Sequence, residues 1–169
     1  MKDSSEDFNF IQTNIFEGCG FEIKNLQKSP ESEEYFAHSF LLQGQRTQYR
    51  QAKITPTKAG QFVTLWKRNR PGAAIQPYDG ADDIDLIIIT VRFKSRLGQF
   101  VFPKEALLKH GVFSIKGQGG KRALRVYPPW DKTKSTQARK TQEWQLDYFV
   151  EITENKALDR KTIRALYLA

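Results

Sequence analysis

The run from Ile84 to Phe93, Ile-Asp-Leu-Ile-Ile-Ile-Thr-Val-Arg-Phe, constrains this chain more than any other segment. β-Branched and aromatic residues favour extended backbone, and an apolar run without polar alternation suits a strand covered on both faces. Its uninterrupted apolar core, Leu86 to Ile89, is far too short for a membrane span. A strand of this kind needs paired neighbours, and period-two segments on both sides supply them. Tyr35–Leu42, Tyr49–Thr55 and Gln61–Arg68 precede it, after a short candidate at Phe21–Leu26; Gln99–Phe102, Val112–Ile115 and Arg122–Tyr127 follow. Helical signals lie outside this block. Phe8, Ile11, Ile15 and Phe16 recur at helical spacing before Gly18, Pro103 opens a short helix to His110, Ser135 caps one to Val150, and Asp159–Leu168 closes the chain. The order predicts an α+β (α/β) domain with a mixed, mostly antiparallel central sheet flanked by N- and C-terminal helices. The 169 residues suit a single domain over 1–169, with 1–30 an acidic N-terminal helical segment, and 12 Phe, 6 Tyr and 3 Trp can fill its core.

One Cys excludes an internal disulfide, and with only two His the usual zinc sites are out of reach, so no metal ligands are expected. The acidic start, Lys2-Asp3-Ser4-Ser5-Glu6-Asp7, has no signal-peptide pattern. A soluble, cytoplasmic monomer with no membrane partner is expected.

The charge is unevenly distributed. Residues 1–34 carry eight acids and three bases, whereas residues 35–78 carry seven bases and no acid. Asp79, Asp82, Asp83 and Asp85 then cluster without a base, and residues 106–142 hold nine bases against Asp131 alone. Beyond residue 34 there are 24 bases and 11 acids. Such an excess speaks to partners rather than to fold, and polyanions are the natural ones. Two basic segments combine cations with aromatics and flexible turns. One carries Lys53, Lys58, Trp66, Lys67 and Arg68; the other carries Lys121, Arg122, Arg125 and Trp130 behind Gly117-Gln118-Gly119-Gly120. Gly-rich turns let backbone donors approach phosphates, Arg forks onto them, and Trp stacks on unpaired bases. The same residues would also suit a solvated cationic face over a buried aromatic core. DNA or RNA, gripped through a basic groove without catalysis, is the partner expected from the first reading. The glycine segment does not match the phosphate-binding loop of nucleoside triphosphatases.

Catalytic patterns are sparse. His38 sits in an apolar strand and suits an interior histidine, His110 suits a helix end, and Cys19 has no evident base. Metal-dependent phosphodiester cleavage needs converging oxygen ligands and a lysine. Gln51-Ala52-Lys53 supplies half of this on one strand face, with Glu34 or Asp85 as the carboxylate; Glu22-Ile23-Lys24 is a further acid-x-Lys match. This defines an alternative, a Mg²⁺-dependent nuclease using Glu34, Gln51, Lys53 and Asp85. No other cofactor is expected. A third possibility is a protein-interaction role for the acidic N-terminal segment.

Several runs resemble the MepB family of small bacterial proteins: Ala52–Lys58, Gly60–Arg68, Asp82–Asp85, Phe100–Lys104, Gly120–Ala123, Arg125–Asp131 and Gln137–Gln142. The resemblance covers residues 30 to 150. It implies a domain similar to type II restriction endonucleases that binds DNA or RNA without demonstrated catalysis. That core carries an acid and an acid-or-Gln-x-Lys on neighbouring strands of the PD-(D/E)XK type. Here only Glu34 with Gln51-Ala52-Lys53, or Asp85 with Phe102-Pro103-Lys104, could match, and Phe102 cannot bind metal.

Overall fold

Helix α1 (Ser4–Ile11) begins where the Asp3 side chain accepts a hydrogen bond from Glu6 N (2.9 Å), and it widens into a π-helical stretch over Gln12–Glu17. The computed structural model describes residues 2–168. Next come β1 (Ile23–Lys28), β2 (His38–Leu42), β3 (Gln45–Gln51), β4 (Lys53–Ile54), β5 (Gln61–Thr64), β6 (Trp66–Lys67) and β7 (Gln76–Pro77). The remainder is β8 (Leu86–Phe93), β9 (Arg96–Pro103), α2 (Lys104–Lys109), β10 (Ala123–Val126), α3 (Thr136–Leu146), β11 (Phe149–Glu151) and α4 (Arg160–Tyr167).

The central sheet has the order β1-β2-β3-β8-β9-β11, and only the β3–β8 pair is parallel. This is the mixed, mostly antiparallel sheet the sequence predicts. β8 lies inside it with Leu86 through Val91 buried, as a two-sided apolar strand requires. Register assigns the two faces. Tyr49, Ile88 and Val101 point to a first core, closed by Phe8 and Ile11 of α1, Ile15 and Phe16 of the π-helical stretch, and Ile163 and Tyr167 of α4. Ile87, Ile89, Phe100 and Phe102 point to a second core under β5, β10, Leu107 and Phe113. The acidic N-terminal segment is therefore an integral wall of the first core. It is helical only as far as Glu17, and its last residues form β1.

The first core contains a polar row. Gln51, Thr90 and Gln99 are neighbours in register across β3, β8 and β9. Thr90 Oγ1 meets Tyr49 Oη (2.6 Å) and accepts from Gln99 Nε2 (3.0 Å), and Tyr167 Oη donates to Gln99 Oε1. Burial pushes the Tyr49 and Tyr167 hydroxyls well above the ordinary tyrosine range. Beside this row Asp7, 1% exposed, accepts from Gln51 Nε2 (2.9 Å) and from the Arg92 guanidinium (2.6–2.9 Å).

Some elements differ from the sequence reading. The expected Tyr35 strand begins only at His38, because a 3₁₀ turn over Glu33–Tyr35 leads into Phe36 at φ +50°. The expected Gln61–Arg68 strand changes partner after Leu65: Leu65 N still bonds Arg122 O (2.9 Å) in the β5–β10 register, and Trp66–Lys67 then pairs with Gln76–Pro77. Val112–Ile115 makes no ladder; Ser114 contributes one isolated bridge to Asp79. The helix capped by Ser135 stops at Leu146, where Tyr148 N bonds Gln145 O (3.0 Å) and the aromatic and β-branched pair Phe149–Val150 joins the edge of β9. Pro103 ends β9 in extended backbone (φ −70°, ψ 155°) and precedes α2 as its cap rather than its first turn.

Gly98 faces Phe149 across β9 and β11, and a Cβ at that position would lie 2.3 Å from Phe149 Cζ. Gly98→Ala is expected to cost roughly 1–3 kcal/mol by overpacking, read as a lower urea midpoint with unchanged m-value.

Candidate nucleic-acid interface

Three short strands and the segments beside them hold the cations singled out in the sequence, Lys53 in β4 and Arg125 in β10. In the sheet ordered β10-β5-β4, Lys53, Phe62 and Arg125 stand directly opposite one another, and Thr64 faces Ala123. Opposite residues share a sheet face, so these form one outward row while Val63, Leu124 and Val126 go to the second core. Lys53 Nζ lies 5.2 Å from the Tyr35 ring centroid and stays exposed. Lys58 is exposed in the β4–β5 turn. Arg125 clamps that turn, donating to Thr55 Oγ1 (3.0 Å) and Ala59 O (3.2 Å). The Leu65–Arg122 bond sets exposed Lys121 and Arg122 beside the start of β6. There Trp66 is half-buried, Arg68 stacks over it (5.1 Å), Lys67 pairs with Asp82 (2.7 Å) and Arg68 with Glu31 (3.1 Å). Trp130 lies apart. It packs edge-on against Phe149 (5.8 Å) with Arg96 over its ring (4.5 Å), joining the second core rather than the basic row.

Next to this row the covering layer of the sheet stops. Gln48 and Arg50 of β3 sit in register with Ile87 and Ile89, on the second-core face; Gln48 is half-buried, and Arg50 is enclosed by polar contacts with Thr64 O and Tyr78 Oη rather than by an apolar layer. Gln27, Ser39 and Gln48 continue the polar surface across β1, β2 and β3. The result is a cleft of about 600 Å³, walled by residues 28–31, by Trp66 to Pro71 and by Tyr78. It brings Lys28, Arg50, Lys67, Arg68 and Arg70 together with one acid, Glu31. Lys28, Arg50 and Arg70 have no carboxylate partner among the described residues, and neither do Lys53, Lys58, Lys121, Arg122 and Arg125.

The residues of the nuclease alternative fall in different settings. Gln51 ends β3 buried against Asp7, whereas Lys53 opens a different sheet over Tyr35, because the chain leaves the central sheet at Ala52. The shared face expected from period two is lost at that break. Glu34 is exposed in the 3₁₀ turn. Asp85 precedes β8 at the end where Thr47 pairs Leu86, five residues from Thr90, the partner of Gln51, or roughly 16 Å along the strand. The Asp85 carboxylate is forked by Arg46 (2.9 Å twice), whose guanidinium also reaches Asp83 (2.8 Å). Lys104 donates to Gly80 O (3.0 Å) and Asp82 O (2.7 Å). Among the described residues no three His, Cys, Asp or Glu side chains converge as a metal requires. His38 is buried with Nδ1 at Phe36 O (2.9 Å), between Phe8 and Phe36; His110 stacks on Trp144 (4.0 Å), and burial lowers its pKa. Burial raises the Cys19 thiol.

The acids at 79–85 serve as ties. Hydrogen bonds from Ser114, Gly117 N and Ala81 N hold Asp79 at about 2, and the Arg46 fork holds Asp85 at about 2. Both lie below the unfolded carboxylate value, so their stabilisation is complete above about pH 4 and is lost as pH falls toward about 2. The urea midpoint is expected to decline across that window, and Asp85→Asn to make the decline shallower.

Sequence reasoning missed Lys28, Arg50, Arg70, Gln48 and Tyr78 as parts of the cleft. The available signal was Arg50 itself, a cation inside a strand that pairs with the most apolar segment of the chain.

Among curated proteins none matches at a significant level. Of solved structures, a bacterial homing endonuclease, I-Ssp6803I, aligns over 87% of this chain and 94% of its own at 13% identity and a TM-score of 0.43. The crystal structure of MepB aligns over 93% of this chain and 100% of its own, at 34% identity and a TM-score of 0.76. A MepB-like family model matches residues 29–151, which span the whole basic row, the cleft lining apart from Gln27 and Lys28, and most of the central sheet. With the family pattern matched across the body of the fold, and the fold itself shared with MepB, the chain belongs to the MepB-like family.

Proposed function

We propose that this protein binds DNA or RNA as a cytoplasmic monomer, holding the phosphate backbone along the β4–β5–β10 row and the neighbouring cleft, without cleaving it. The observation that carries this reading is the gathering of cations from four separate segments, around residues 28, 50–58, 66–70 and 121–125, with most of them lacking a carboxylate partner among the described residues. Clustered unpaired cations raise the local potential and release counterions from a polyanion on contact. Trp66, with Arg68 over its ring, is the aromatic group beside which an unpaired base would stack. The nuclease alternative gains no support from this arrangement, since Asp7 and Asp85 are each occupied by an arginine and Gln51 by Asp7.

Binding measured by fluorescence anisotropy over a salt series tests the reading. Log affinity is expected to fall linearly with log salt, by roughly 0.9 per neutralised phosphate on duplex and roughly 0.7 on single strands. A flat series would contradict it.

A further inference from the structure

Arg50 is an unusual cleft residue. Its side chain is fully buried, 0% exposed, and no carboxylate pairs with it among the described residues. Its guanidinium donates only to neutral acceptors: Tyr49 O (2.9 Å), Tyr78 Oη (3.0 Å), Thr64 O (3.3 Å) and, weakly, Gln48 Oε1 (3.5 Å). A cation removed from water without a counterion is costly, and the cost falls when an anion enters the space beside it. Two further unpaired cations, Lys28 and Arg70, line the same cleft.

The balance of charge identifies the anion. The cleft, about 600 Å³, has the size of a site for one nucleotide rather than for a length of strand. An internal nucleotide brings a single phosphodiester charge into such a space. Three uncompensated cations call for more, and a phosphomonoester supplies it, with nearly two charges and three terminal oxygens near pH 7. Trp66 in the same cleft offers a surface for the attached base.

From this we infer that the cleft is a receptor for a phosphorylated strand end, the terminal phosphomonoester meeting the exposed Lys28 and Arg70 while the buried Arg50 adds its charge from beneath the cleft wall. The inference rests on the nucleic-acid-binding reading and names the substrate feature that the cleft selects.

The test compares oligonucleotides identical except at their ends, carrying 5′-phosphate, 3′-phosphate or hydroxyl termini, with an internal fluorophore. One of the two phosphorylated forms is expected to bind roughly tenfold tighter than the hydroxyl form. Which one it is distinguishes the two kinds of end. The preference is expected to vanish in a Lys28→Ala, Arg70→Ala double variant, whose changes lie on the surface and leave the buried Arg50 in place. Lys121→Ala is expected to weaken all forms alike and keep the preference. Equal binding of all three oligonucleotides overturns the inference while leaving nucleic-acid binding intact. No binding of any of them overturns both.

Discussion

Arg92→Ala is expected to lower the unfolding free energy by roughly 3–5 kcal/mol, the cost of leaving a buried carboxylate without its cation. Asp7 is 1% exposed, and Arg92 meets both of its oxygens through Nε and Nη2. Without Arg92, the remaining partner of Asp7 is Gln51 Nε2 (2.9 Å), a neutral donor. The pair also ties α1 to the far end of β8, so its loss would loosen the wall that the N-terminal helix builds over the first core. Urea denaturation measures the change as a lower midpoint. Adding Asp7→Asn to Arg92→Ala is expected to recover part of the loss, because the uncompensated charge is then gone; a single-variant change below about 1 kcal/mol would contradict the role given to the pair.

The second large effect concerns binding. Reversing Lys121 and Arg122 to Glu is expected to weaken nucleic-acid affinity about 100-fold. Each reversal exchanges an attraction of about 1 kcal/mol, the value for a fully solvated pair, for a similar repulsion, and salt screening trims the total for two residues from about 4 to about 3 kcal/mol. Both side chains are exposed and neither forms an ion pair among the described residues, so the fold is expected to tolerate the change. The salt slope should also become shallower, by roughly 0.9 per lost phosphate contact on duplex. Unchanged affinity would place the binding surface elsewhere.

The central sheet was legible because its signals are local. Leu86–Val91 could only be interior, and the alternation in β2 and β5 exposed their buried faces. The breaks were not legible. Trp66–Lys67 leaves the β5–β10 register to pair with Gln76–Pro77, and Phe149 leaves helical spacing to pair with Phe100, and both outcomes depend on residues distant in sequence. The basic row was legible as composition but not as geometry. Trp130 and Trp66 occupy similar basic contexts in the sequence, yet packing against Phe149 takes one into the second core and leaves the other beside the cleft. The cleft itself escaped notice because it forms where a covering layer ends, which no single segment records. Gln51-Ala52-Lys53 suggested a shared face that the change of sheet at Ala52 removes.

The gathering of cations into one binding surface is tested most directly by titrating the isotopically labelled protein with a short oligonucleotide and following its amide and indole resonances. Movement is expected to concentrate on residues 66–70 and 121–125 and on the Trp66 indole, with the Trp130 and Trp144 indoles still. Resonances that stay fixed at Trp66, Lys121 and Arg122 while α4 or the β9–β11 edge responds would contradict it.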